Sequence, residues 1–131
     1  MELKFVNPEK VAKLPKPAAH GAIVGPGRLI AVAGQIATNI HGEVVGVGDI
    51  KAQTRQVLEN MSTILKEVGA SLDNVFKVTI FLTDIGQIGD VLEVRREYFK
   101  NSTPAATAVE IKALVRKELL VEIEALAMID L

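Results

Sequence analysis

Hydrophobic and polar positions follow two different periods along this chain. Alternation with period two marks Val75-Phe76-Lys77-Val78-Thr79-Ile80-Phe81-Leu82 as a strand, with Phe76, Val78, Ile80 and Leu82 on one face and Lys77, Thr79 and Phe81 on the other. Leu3-Lys4-Phe5-Val6 is a shorter strand ended by Asn7-Pro8, and the prolines Pro8, Pro15 and Pro17 make residues 8 to 18 a loop or turn. Ala22-Ile23-Val24, Gly25-Pro26-Gly27 and Arg28 to Ala33 read as a hairpin, its second strand apolar on both faces. Asp49 can cap a helix with apolar Ile50, Val57, Leu58, Met61, Ile64, Leu65 and Val68 at helical spacing, and Gly69 ends it. A second amphipathic helix from about Ile88 to Phe99 presents Val91, Leu92, Val94, Tyr98 and Phe99, interrupted by Arg95 and Arg96. Pro104 opens a strand to about Ala113, residues 115 to 118 turn, and the last strand runs from Leu119 to about Ile129.

The order of strand, hairpin, helix, strand, helix and hairpin gives an α+β fold in one domain, residues 1 to 131, with no internal repeat or linker. Two helices can cover one face of a mixed sheet. The opposite face, with its small, apolar and acidic residues, then needs neighbouring subunits to close it.

That opposite face carries the candidate chemistry. In the last strand Val121, Ile123, Ala125 and Ala127 share the core side, while Glu122 and Glu124 share the other with Leu120, Leu126 and Met128. A carboxylate in partly apolar surroundings suits acid or base use, and a structural salt bridge is the plainer alternative.

Composition narrows the classes of function. Hydrophobic residues make up 49% and aromatics only 4%, so the core is built from Val, Ile, Leu and Ala. A formal charge of -1 supplies no attraction to phosphate backbones or anionic membranes. Without cysteine there are no disulfides, thiolate metal sites or Cys nucleophile, and two isolated histidines build no zinc centre. The N-terminal residues have no apolar h-region, and no apolar stretch approaches membrane-spanning length, so the cytoplasm is the expected compartment.

Specific words along the chain carry a resemblance: Gly34-Gln35-Ile36-Ala37; Gln53-Thr54-x-Gln56-x-Leu58-x-Asn60; Gly69-Ala70-Ser71-Leu72 followed by Val75-x-Lys77-Val78-Thr79; Pro104-Ala105; and Val121-Glu122-Ile123-Glu124-Ala125-x-Ala127. Together, in this order and over nearly the whole chain, they resemble the RidA (YjgF) family. The resemblance implies a chorismate-mutase-like subunit with a mixed six-stranded sheet and two helices on one face. It also implies a homotrimer closing a central barrel, with ligand clefts between subunits. The implied activity is hydrolysis of reactive imines and enamines of amino-acid metabolism to 2-oxo acids and ammonia, without metal or organic cofactor.

A carboxylate substrate calls for a guanidinium, and the imine carbon for a water handled by an acid or base. The resemblance places the arginine after Pro-Ala, where this chain has Ala106, and the water-handling glutamate at Glu122. His20 falls where the family often has tyrosine, Ala33 where serine commonly precedes Gly-Gln, and Leu92 near a frequent asparagine. The expected site is therefore catalytic Glu122, with His20, Ala106, Thr107 and Arg96 as substrate contacts and no metal. Arg95 and Arg96 are candidates for the relocated cation, against the alternative of solvated helix arginines. His20 is a proton shuttle or a hydrogen-bonded loop residue, and Thr107 a carboxylate contact or a strand-forming threonine. Gln35 is expected to hold backbone after a tight Gly34 turn, with Asn60 and Glu124 as framework. The rival function is a non-catalytic metabolite-binding or chaperone-like trimer. A third, ribonuclease or translation inhibitor, finds no support in neutral charge and few aromatics.

Overall fold

The computed structural model describes residues 2–13 and 18–131. Among these residues six strands and two helices form, in the order β1 Glu2–Val6, β2 Gly21–Gly25, β3 Arg28–Gln35, α1 Ile50–Glu67, β4 Val75–Leu82, α2 Ile88–Tyr98, β5 Ala105–Glu110 and β6 Val121–Ile129, with single 3-10 turns before β4 and α2. Pro8 lies in the loop expected after β1, while Pro15 and Pro17 lie outside the described residues.

The α+β class holds, and the strands divide into two sheets. β1 and β2 pair antiparallel, and a four-stranded mixed sheet runs β3-β6-β4-β5. Both expected hairpins are replaced. β2 pairs with β1 through Ile23 and Lys4, whereas β3 crosses to β6 through Ile30 and Ala127. Gly27 makes this crossing possible, because a Cβ there would run into the Ile129 carbonyl and the Met128 side chain. β5 and β6 are likewise separated by β4, which pairs parallel with β5 and antiparallel with β6. A parallel β4–β5 pair needs a crossover, and α2 supplies it.

Local chemistry fixes the helices. Asp49 accepts the backbone N–H of Ala52 at 3.1 Å to start α1. At the other end Gly69, with φ +77°, donates to Lys66 while Ala70 donates to Leu65, closing a Schellman motif as its glycine predicts. The buried stripe of α1 is Ile50, Gln53, Thr54, Val57, Leu58, Met61 and Leu65. Expected Ile64 and Val68 stay solvent-facing, and two polar residues take part instead. Gln53 repays its burial: its Nε2 donates to Gly46 O and Glu118 O, and its Oε1 accepts from Leu120 N–H. Asn60 donates to the carbonyls of Ile36 and Thr38, the framework role expected of it.

The core lies between the helices and one face of the four-stranded sheet. Val121, Ile123, Ala125 and Ala127 of β6 enter it as their alternation predicts. β4 contributes Val75, Val78, Ile80 and Leu82 rather than Phe76. The pairing with β6 shifts register between Val75 and Lys77, and the extra residue turns Phe76 off the core face. No described helix is long and apolar enough to cross a membrane.

Candidate functional site

The two helices leave the other face of the four-stranded sheet open. By register it carries Leu29 and Ala31 of β3; Glu122, Glu124, Leu126 and Met128 of β6; Lys77, Thr79 and Phe81 of β4; and Ala105, Thr107 and Val109 of β5. Leu29 is 60% exposed, Val109 40% and Leu126 36%. Apolar side chains and a few charged groups thus share one open surface.

Glu122 is half-buried on this face, opposite Phe81 on β4. Its side chain leans the other way, over β3. β3 pairs Val32 with Ala125 and Gln35 with Ile123, so a bulge at Ala33-Gly34 intervenes where a tight turn was expected. A Cβ on Gly34 would collide with the Glu122 carboxylate, its Cδ lying 2.8 Å from that position. The absent side chain is therefore the slot that holds the glutamate. Gln35 donates from Nε2 to Ala33 O at 3.0 Å, fixing the bulge, as its backbone-holding role predicts. Among the described residues the ion pairs Lys51–Glu93, Lys51–Asp90 and Arg55–Glu97 tie α1 to α2, and none engages Glu122.

The remaining candidates are dispersed within one chain. Ala106 is in register with buried Val78 and packs against the core, so its side chain faces the helices rather than Glu122's surface. Thr107, one residue on, faces the open side and accepts a hydrogen bond from Lys77 Nζ at 2.9 Å. Arg96 is exposed on α2, whose Val91 and Val94 pack into the core on the opposite side of the sheet from Glu122. Arg95 is no solvated helix arginine: it is 1% exposed, and burial, with Arg96 beside it, pushes its pKa down to about 10. His20 follows Ala19, which bridges to Ala105 at the start of β5. Its backbone N–H donates to Asn7 Oδ1 at 3.0 Å, and its Nε2 meets Ala12 O at 2.6 Å, so that nitrogen carries a proton. His20 also lines a surface cavity with Asn7, Pro8, Val11 and Lys13, and Glu122 is not among that cavity's walls.

Lys77 was missing from the expected site. Its alternation places it on Glu122's face, yet nothing in the sequence distinguishes it from an ordinary strand lysine. Its ammonium donates to Thr107 Oγ1 and to Val78 O at 3.2 Å. Burial lowers its pKa, and Glu124 opposes that shift at a distance.

Residues 13–129 match the family described as Endoribonuclease L-PSP. A RutC family protein of Pyrococcus abyssi is 46% identical over 116 residues, 88% of this chain and 91% of that protein. The solved structure of the Rid-family protein YyfB of Yersinia pestis superposes with a TM-score of 0.88 at 31% identity, covering 98% of this chain and all of that one. The chain belongs to the RidA (YjgF) family. The human member named 2-iminobutanoate/2-iminopropanoate deaminase is 37% identical over 100 residues, 76% of this chain and 72% of that protein. Membership and the α+β architecture thus agree with what the sequence words imply.

Proposed function

We propose that this RidA-family chain is a cytoplasmic homotrimeric hydrolase of small imines and enamines, releasing a 2-oxo acid and ammonia. The observation that supports it is Glu122 on the sheet face away from the helices, its carboxylate seated in the slot left by Gly34. A carboxylate so placed takes a proton from a bound water as the water oxygen adds to the imine carbon, and hands that proton to the nitrogen to give a carbinolamine. Glu122 then takes the hydroxyl proton and passes it to the nitrogen as the C–N bond breaks, so that the 2-oxo acid and ammonia leave and the carboxylate is restored. The relative named 2-iminobutanoate/2-iminopropanoate deaminase supports the substrate class. The apolar open face of Leu29, Phe81, Val109, Leu126 and Met128 supports the assembly, because water-exposed apolar area of this kind is removed when copies meet.

Ammonia release from freshly generated 2-iminobutanoate tests the proposal. The expected result is acceleration over a protein-free control, and equal rates with and without protein would overturn it. A second reading, a trimer that binds a metabolite without turning it over, is favoured by Ala106, which puts no guanidinium beside the site. A ligand that raises the melting temperature and is recovered unchanged would support that reading instead.

A further inference from the structure

The strand order forces one connection to cross the end of the sheet. β6 lies on the far side of β4 from β5, so residues 111 to 120, which join β5 to β6, arch over the point where β4 stops. Both limbs of the arch are pinned there. Ile111 N–H donates to Leu82 O at 2.7 Å, and Thr83 N–H donates to Leu120 O at 3.2 Å. Gln53 of α1 holds Glu118 O and Leu120 N–H, and Leu119 is fully buried. Beneath the arch is a cavity of about 260 Å³, at the small end of the range for ligand pockets and suited to a compound of a few carbons.

The walls of this cavity are one-sided in charge. Lys112, Arg116 and Lys117 line it with Thr83, Leu114 and Leu119, and no acidic residue does. Among the described residues no carboxylate lies within ion-pair distance of the three cations. The acids closest in sequence are turned elsewhere: Glu110 Oε1 accepts Ile85 N–H, Asp84 Oδ1 accepts Gly86 N–H, and Glu118 is exposed outside the walls. Three cations gathered without a counter-charge repel one another, and a bound anion relieves that repulsion. Arg116 Nη1 donates to Gly42 O at 2.7 Å, which ties the arch to the turn before α1 and leaves the rest of the guanidinium fork for a ligand. Cations from both limbs and a hydroxyl at the floor thus face one cavity. A phosphate monoester, with its double charge and three strong acceptor oxygens, uses that set more fully than a carboxylate does. Leu114 and Leu119 supply an apolar wall for the organic remainder.

We propose that the arch between β5 and β6 is a binding site for a small organic phosphate monoester, held by Lys112, Arg116, Lys117 and Thr83. Glu122 is not among the walls, and the site stands apart from the imine-hydrolase reading.

Calorimetric titration of the intact protein with propyl phosphate at low ionic strength tests it, with a melting curve confirming that each variant folds. The wild type should bind one propyl phosphate per chain, and inorganic phosphate, which lacks the apolar tail, more weakly. Lys112→Gln and Lys117→Gln should each weaken binding about tenfold, the loss of one charge-assisted contact. Thr83→Val should weaken it less. Arg116→Gln should weaken it at least as much as either lysine variant, although it also frees the arch from Gly42. Lys66→Gln removes the same charge about 20 Å along α1 from Gln53 and should leave binding within about twofold. Absence of saturable binding overturns the site. So does full binding in both Lys112→Gln and Lys117→Gln, or a loss in Lys66→Gln equal to theirs, which is the mark of diffuse attraction. Phosphatidylcholine vesicles containing phosphatidic acid, whose headgroup is the same monoester, separate the sources of such a group. Protein that binds propyl phosphate and stays in the supernatant supports the site with a soluble metabolite as its ligand. Protein that pellets with the vesicles as wild type but not as Lys112→Gln supports it with a lipid headgroup.

Discussion

Gly34 and Glu122 show how one hydrogen in place of a methyl group can position a reactive carboxylate. Gly34→Ala would put a Cβ where the Glu122 carboxylate now lies, so the glutamate has to swing out of its slot. Imine hydrolysis is expected to fall more than about tenfold while stability, read from the melting curve, changes by about 1 kcal/mol or less, because the displaced group is half-exposed. Period-two alternation marks Glu122 and Glu124 together as the charged pair on one face of β6, and the family resemblance singles out Glu122. The role of Gly34 is not legible that way: the contact joins residues far apart in sequence through a bulge, and the sequence there reads as a turn. Arg95 fails for a related reason. Its charge suggests solvent, yet it lies one residue beyond Val94 on α2 and is drawn into the buried face.

At the level of elements, Gln53 stitches the loop ending at Gly46 to the start of β6, satisfying two carbonyls and the Leu120 N–H with one buried amide. Gln53→Leu keeps the apolar packing and strands those groups, so urea denaturation should show a loss of about 2–4 kcal/mol in stability with an unchanged m-value. Because β6 carries Glu122, activity should become more temperature-sensitive in the same variant. Both helices and all six strands can be located from hydrophobic period, caps and glycine stops. The partners of the strands cannot. Gly25-Pro26-Gly27 and residues 115 to 118 look like hairpin turns, because turn chemistry reports a change of direction and not which strand lies alongside afterwards. Pairing is decided by burial across the sheet, where β4 takes the central place beside β6 with Val78, Ile80 and Leu82 fully covered.

For the whole molecule, the question is what covers the open face. Leu126→Glu would place a charge among Leu29, Met128 and Lys77's neighbours, where the proposed trimer buries apolar area. Sedimentation equilibrium should give the wild type three times the 14.1 kDa of one chain and give the variant a mass nearer to one. A wild type that stays monomeric at micromolar concentration would remove the trimer. The need for a cover is legible in a sequence whose third strand is apolar on both faces, and the arrangement of charges at the two sheet edges is not, since it depends on which strands end up outermost.

The central claim is that Glu122 activates the water, and Glu122→Gln tests it most directly. The change keeps shape and removes the base. With 2-iminobutanoate generated in place and 2-oxobutanoate followed over time, the assembled variant should lose at least about a hundredfold in kcat, the lower range for a general base, while still binding the product. A Glu122→Gln protein that hydrolyses the imine as fast as the wild type would contradict the account.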